Sequence, residues 1–486
     1  MPLSKRIVAR LDVKGTRLIK GIRFEGLRVV GDLEEAAMKY AQQGADELLY
    51  IDAVASLYGR NTLEETLRSI SRRVFIPITA GGGVRSVSDA ASLLSAGADK
   101  VAVNSAALCR PNIITELAKC FGSQCVVASI QARSIGPGLW EAMGEAGRER
   151  SGRDVMEWIR EVQSLGAGEL LITSVDQDGT CSGPDQDLIQ AVNEATNVPT
   201  IVGGGFSECE QALNALRKVK ISGISIGASL HYNRLEVSAI KSYLKTRLAP
   251  GSIRSDIASL SYSRKSNKDS VLRGRKIGII DYGMGNQQSL INAFEKIGAD
   301  VLLSSDQEVL NQCSLLALPG VGAFPQGIKK LVDLELDLFI SKSADQGKPI
   351  IGICLGMQML FESSDEFGKT KGLGILSGRV TRLPPNDVDG TKLTIPHIGW
   401  NNLETGPAWA FPWDLNQPKS QYFVHSYAAL DVPASTILLN SYHGNHLFVA
   451  AVREKNICGL QFHPERSGAS GLEILSLISN NLLQMK

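Results

Sequence analysis

The feature that most constrains the fold is an internal repeat. Gly44-Ala45-Asp46-Glu47-Leu48-Leu49 returns as Gly166-Ala167-Gly168-Glu169-Leu170-Leu171, and Gly81-Gly82-Gly83 returns as Gly203-Gly204-Gly205. Both pairs share one offset, 169 − 47 = 203 − 81 = 122 residues. Ala9–Lys14 also aligns with Ala128–Arg133, at an offset of 128 − 9 = 119. A supersecondary plan used twice implies a fold assembled from two like halves. Short apolar runs at Arg6–Asp12, Glu47–Asp52, Ile76–Ala80, Lys100–Asn104, Cys125–Gln131, Glu169–Ser174, Thr200–Gly203 and Gly223–Ile226 read as eight strands, each followed by a helical pattern. In the first helix Leu33, Ala36, Ala37, Tyr40 and Ala41 form one apolar stripe. Eight strand–helix units in about 250 residues are the arithmetic of a (β/α)8 barrel.

Functional groups in such a barrel sit at the C-terminal ends of the strands. Each half closes one strand with Gly-Gly-Gly, where backbone amides can approach a phosphate. Gly82 and Gly83 make one expected cradle, and Gly204 and Gly205 the other, so the substrate should be phosphorylated at both ends. Asn104, Gly227 and Ser229 follow strands in positions suited to phosphate or hydroxyl contacts. Asp12, ending the first strand, is the expected general acid/base, and Lys20 a phosphate or substrate clamp. Asp176 stands at the end of the sixth strand.

A chain of 486 residues is too long for one ordinary core, so a second domain is expected. Periodicity dissolves after residue 248 into Ser-rich, basic sequence and resumes at Lys276. The expected division is a barrel over 1–248, a flexible linker over 249–275 and an α/β domain over 276–486. The linker's basic residues lack interleaved aromatics, and the net charge is only +1, so a nucleic-acid partner is not expected. No apolar run of membrane length and no signal pattern appear, which predicts a cytoplasmic protein without a membrane partner. The eight cysteines lack Cys-x-x-Cys spacing and do not group with the six histidines. Reduced thiols follow, with no metal site and no cofactor.

The second half carries its own chemistry. Lys276–Asp281 and Leu315–Leu318 read as strands of a doubly wound sheet. Pro349-Ile350-Ile351 leads into Gly352-Ile353-Cys354-Leu355-Gly356, and Met357–Phe361 then reads as a helix. Strand, Gly-x-Cys-x-Gly and helix make a nucleophile elbow, where a helix N-terminus lowers a thiol pKa. Gln461-Phe462-His463-Pro464-Glu465 supplies the partners: His463 to take the thiol proton, Glu465 to fix the imidazole tautomer. Gly320, Val321 and Gly322 after Pro319 can present backbone N–H groups to a developing oxyanion.

These motifs carry a resemblance. The Cys354–His463–Glu465 half resembles a class I glutamine amidotransferase, which frees ammonia from glutamine. The N-terminal half resembles the cyclase subunit of imidazole glycerol phosphate synthase, through Leu11-Asp12-Val13-Lys14, Lys20-Gly21, Ala80-Gly81-Gly82-Gly83-Val84, Gly97-Ala98-Asp99-Lys100-Val101 and Asp178-Gly179-Thr180. The C-terminal half is similar to that enzyme's glutaminase, through Asp281-Tyr282-Gly283-Met284-Gly285-Asn286, Cys354-Leu355-Gly356-Met357-Gln358, Pro396-His397-Ile398-Gly399-Trp400-Asn401 and Phe462-His463-Pro464-Glu465. The resemblance implies two domains docked within one chain, with ammonia crossing the barrel interior. At the barrel top it would join a bis-phosphorylated formimino ribulosyl nucleotide, giving imidazole glycerol phosphate and aminoimidazole carboxamide ribotide in histidine biosynthesis. It also implies that Gln358, Ser426 and Tyr427 contact glutamine. Arg6, Glu47, Lys100 and Glu169 would form a charged gate at the barrel bottom, and Asp99 and Arg466 an interdomain salt bridge.

Two departures bear on the chemistry. The family places a second catalytic Asp at the end of the fifth strand, where this chain has Gln131, an amide that does not exchange protons near neutral pH. Arg10 replaces the small residue usual two positions before Asp12, and strand alternation puts it on the same face. Two readings follow. One is an imidazole-glycerol-phosphate-synthase-like enzyme; the other is a paralogue that delivers ammonia to a different phosphorylated or nucleotide-linked sugar, as in surface polysaccharide amidation.

Overall fold

The computed structural model describes residues 3–53, 63–218, 220–254, 272–410 and 420–484. Of the expected linker, residues 255–271 lie outside that range. The chain divides into two compact units, one built on residues 3–257 and the other on 258–393 and 400–486.

The first unit is a closed barrel of eight parallel strands: Arg6–Lys14, Glu47–Asp52, Ile78–Gly81, Lys100–Val103, Val126–Gly136, Glu169–Ser174, Thr200–Gly203 and Ile221–Ile226. Neighbours in this order pair in sequence, and the eighth strand returns to the first with Arg6 opposite Gly223. Helices cover the outside by burying one stripe each. In Leu33–Gln42 the buried residues are Leu33, Ala36, Ala37, Tyr40 and Ala41, and Asp32 caps the first turn by accepting from Glu35 N–H at 3.0 Å. The structure adds two antiparallel hairpins not expected from the sequence. Arg17–Ile22 with Glu25–Asp32 follows the first strand, and Leu139–Gly144 with Glu149–Asp154 follows the fifth, at the same place in each half. Their half-polar residues lack a continuous apolar run, which is why pattern alone missed them.

Inside, alternation sorts side chains into layers. Arg6, Glu47, Lys100 and Glu169 fill the lower layer without solvent exposure. Above them Val8, Leu49, Ala102, Val127, Leu171 and Ile201 form one apolar cluster. Arg10 and Asp12 follow on the same face, toward the strands' C-terminal ends. The expected linker begins later than residue 249, because Arg254 donates to Asp46 Oδ1 at 2.8 Å and to the Gly44 and Ala45 carbonyls. Lys5 N–H likewise donates to Ser252 O.

The second unit is a twisted sheet in the order Asp300–Ser304, Lys276–Ile280, Leu315–Leu318, Ile350–Ile353, Ile457–Leu460, His446–Glu454, Ile437–His443, Glu404–Thr405. The first five strands are parallel and the rest antiparallel. Among the described residues, no helix is long and apolar enough to cross a membrane.

Candidate active sites

Strand Ile350–Ile353 ends at Cys354, which opens the helix Leu355–Leu360 with φ 52° and ψ −107°. A β-carbon-bearing residue at positive φ is strained, and nucleophile elbows place such strain under the reacting atom. The turn closes only with glycine behind it: a Cβ on Gly356 would lie 1.9 Å from Leu318 O. Gln461 Nε2 lies 3.6 Å from Cys354 Sγ. His463 Nδ1 pairs with Glu465 Oε1 at 2.7 Å, and both are buried. Burial alone would depress the imidazole, but the charge of Cys354 and then of Glu465 outweighs it and holds His463 well above its usual value.

The remaining glutamine-side residues converge on this elbow. Gln358 Nε2 donates to Tyr427 O at 2.9 Å and to Gln461 Oε1 at 3.0 Å, so its amide orientation is fixed. Ser426 is buried, and its carbonyl accepts from Leu383 N–H. Gly320 backs directly on the elbow, and Tyr282 donates to Pro319 O at 2.8 Å, holding the Pro319–Gly322 turn. Sequence reasoning passed over Glu366. Its Oε2 accepts from Phe324 N–H at 2.6 Å, and burial pushes its carboxyl up to about 7. It also acts electrostatically on Tyr427. Glu366 stands alone after the strand Phe361–Ser364, a placement that gives no signal in sequence.

At the barrel mouth the structure brings together Asp12, Lys20 and two further residues. Asp12 accepts from Arg10 Nε at 2.8 Å and from Lys20 Nζ at 2.7 Å. Lys20 also contacts both Asp178 oxygens, at 3.0 and 2.8 Å, and all four side chains are buried. Burial would raise the Asp12 carboxyl, yet Arg10 and then Lys20 outweigh it and hold it below the usual carboxylate range. Besides Asp12, the acid that meets Lys20 is Asp178; the Asp176 carboxylate instead accepts from Ser134 N–H at 2.8 Å. One residue, Gln177, separates them: the turn after the sixth strand rotates the later acid inward.

A cavity of about 350 Å³ opens beside the first cradle, lined by Arg10, Gly82, Gly83, Asn104, Ser129 and Gln131 among others. Gly82 has φ 98°, and a Cβ there would lie 2.3 Å from Asp52 O. Asn104 Nδ2 donates to Met143 O at 3.1 Å. A narrower cleft at the second cradle is lined by Arg10, Asp178, Gly204, Gly205 and Gly227. The Ser229 hydroxyl donates to Phe206 O at 2.5 Å and lies 3.3 Å from Cys181 Sγ, and Phe206 and Cys181 both line that cleft. At the barrel bottom Arg6 Nη1 meets Glu47 Oε2 at 2.9 Å and Lys100 Nζ meets Glu47 Oε1 at 2.9 Å; both cations also pair with Glu169. Asp99 accepts from Ile78 N–H at 2.8 Å, and Arg466 N–H donates to His463 O at 3.0 Å.

Comparison with known proteins agrees with both halves. The profile described as "Histidine biosynthesis protein" matches residues 6–236, and "Glutamine amidotransferase class-I" matches residues 278–483. The imidazole glycerol phosphate synthase subunit HisF of Legionella pneumophila is 53% identical over 206 residues, 42% of this chain and 97% of that protein. The HisF subunit of Streptococcus sanguinis (strain SK36) is 43% identical over 239 residues, 49% of this chain and 95% of that protein. The chain belongs to the imidazole glycerol phosphate synthase HisF family. It is an enzyme in which a HisF-like cyclase barrel is fused ahead of a class I glutamine amidotransferase domain.

Proposed function

We propose that this HisF-family enzyme hydrolyses glutamine at Cys354 and uses the ammonia at the barrel mouth. The reading rests on one observation above all: Cys354 is held at positive φ on an elbow whose base, His463, is paired with Glu465 at 2.7 Å. The thiolate attacks the side-chain carboxamide carbon, and the oxyanion forms toward the Gly320–Gly322 amides. His463 gives its proton to the departing ammonia, and water then releases glutamate from the thioester. Gln358, Ser426 and Tyr427 hold glutamine, and Glu366 takes its ammonium group.

In the barrel, ammonia joins a bis-phosphorylated formimino ribulosyl nucleotide whose two phosphates rest on Gly82–Gly83 and Gly204–Gly205. The products are imidazole glycerol phosphate and aminoimidazole carboxamide ribotide. Gln131 favours the second reading, amination of another phosphorylated or nucleotide-linked sugar, because it leaves no titrating acid on the fifth strand, and Arg10 favours it because its charge is held against Asp12. Turnover of the formimino ribulosyl bis-phosphate with ammonium salt decides between them. Under the first reading the wild type turns over; under the second it is inert. A Gln131→Asp variant restores an acid–base partner worth ~10²–10⁴-fold. Rescue by that variant marks a diverged cyclase.

Glu366 gives a separate expectation. Glu366→Gln should raise the KM for glutamine at least tenfold and leave ammonium-driven barrel turnover alone. Because the folded carboxyl titrates near 7 and the unfolded one near 4.5, ionising it costs stability as pH rises between those values. The variant should therefore be more stable than wild type above pH 7, by up to about 3 kcal/mol. Denaturant melts at pH 5 and pH 8 check this, and a variant no more stable at pH 8 refutes it.

A further inference from the structure

Two arginines cross the inside of this barrel at different heights. Arg6 and Arg10 lie four residues apart on the first strand, so both face inward, roughly 13 Å apart along it. Each reaches the sixth strand, three places around the barrel: Arg6 pairs with Glu169, and Arg10 Nη1 donates to Thr173 Oγ1 at 2.9 Å. Between these two rungs lies the apolar layer of Val8, Leu49 and their neighbours. The lower rung belongs to the four-charge ring already described. The upper rung is closed by Asp12 on one side and by Phe24, whose ring centre is 5.3 Å from the guanidinium carbon.

Arg10 lines both the cavity beside Gly82 and Gly83 and the cleft beside Gly204 and Gly205, so it stands on the divide between the two cradles. Gln131 shares the lining of the first cavity with it. Gln131 pairs in register with Thr173, the far anchor of Arg10, and its Oε1 is buried with no partner among the described residues. A carboxylate at that position would hold the guanidinium in a second ion pair. A neutral amide leaves Asp12 as the one carboxylate that Arg10 is paired with among the described residues.

We propose that Arg10 is an upper gate of the barrel, a guanidinium bar over the axial path that a substrate with two phosphates draws aside when it spans both cradles. The anionic substrate gives the guanidinium a new partner. The same movement opens the way for ammonia and frees one oxygen of Asp12. This gate rests on the proposed route of ammonia through the barrel interior.

The test measures coupling in the full chain at substrate concentrations below saturation. Glutamate, aminated product and ammonia in solution (by a glutamate dehydrogenase assay) are quantified for wild type, Arg10→Ala and Thr173→Val. Thr173→Val removes the far anchor without touching Asp12. The gate predicts glutamate and product in equal amounts for wild type, glutamate several-fold in excess with free ammonia for Arg10→Ala, and a smaller excess for Thr173→Val. Turnover with ammonium salt, measured alongside, separates the gate from the chemistry: an excess in Thr173→Val with ammonium-driven turnover unchanged supports the gate, and an excess that only follows a loss of ammonium-driven turnover overturns it. Equal amounts in both variants, with a wild type that aminates the substrate, overturn the gate alone. A wild type inert with both glutamine and ammonium salt overturns the proposed reaction, and the gate with it.

Discussion

Cys354→Ala should abolish turnover with glutamine and leave turnover with ammonium salt intact. Removing the nucleophile of an elbow site costs on the order of 10⁵–10⁶-fold, because attack on the carboxamide has no other route there. The barrel mouth, built on residues 10–229, takes no residue from that site. Glutamate formation and product formation, assayed separately with each nitrogen source, make the check. Loss of ammonium-driven turnover together with glutamine use would sink the two-site scheme. Stability separates the chemical effect from a folding defect. Alanine at φ 52° keeps the strain of the turn, so Cys354→Ala should melt close to wild type, whereas Cys354→Gly should gain about 1–2 kcal/mol by relieving it.

What the sequence carried, and what it withheld, follows from how local each signal is. The repeat fixed the barrel because a 122-residue offset with matched glycines has few other physical meanings, and it sets a Gly-Gly-Gly run at the end of one strand in each half. The elbow was legible because Gly352, Cys354 and Gly356 are adjacent in the chain and each glycine is demanded by a close backbone approach. Asp178 was not, because whether it or Asp176 faces Lys20 depends on the φ/ψ path of one turn after Ser174. Glu366 was invisible for a related reason: its importance lies in burial beside Tyr427 and Phe324, residues far from it in sequence. Arg10 lay between these cases. Alternation gave its face, but only the fold shows that its partner is Thr173 across the barrel and not a neighbour on the next strand.

Asp12→Asn tests the other centre. The asparagine keeps the shape of the side chain and removes the charge that Arg10 and Lys20 share. Barrel turnover should fall by ~10²–10⁴-fold with either nitrogen source, while glutamate formation at Cys354 persists. The structural cost should be below the ~3–5 kcal/mol typical of breaking a buried ion pair, because Lys20 retains Asp178 and Arg10 keeps its contact with Thr173. Its pH dependence identifies the source. The Asp12 carboxyl is held below its unfolded value, so its contribution to stability is present above pH ~4 and fades as pH falls below it. The gap between wild type and variant should therefore be widest near neutrality and narrow on acidification. A gap that stays constant down to pH 3 would mean that the Arg10–Asp12–Lys20 network contributes no charge-dependent stability. The tight hold on Asp12 would then have to be explained by packing.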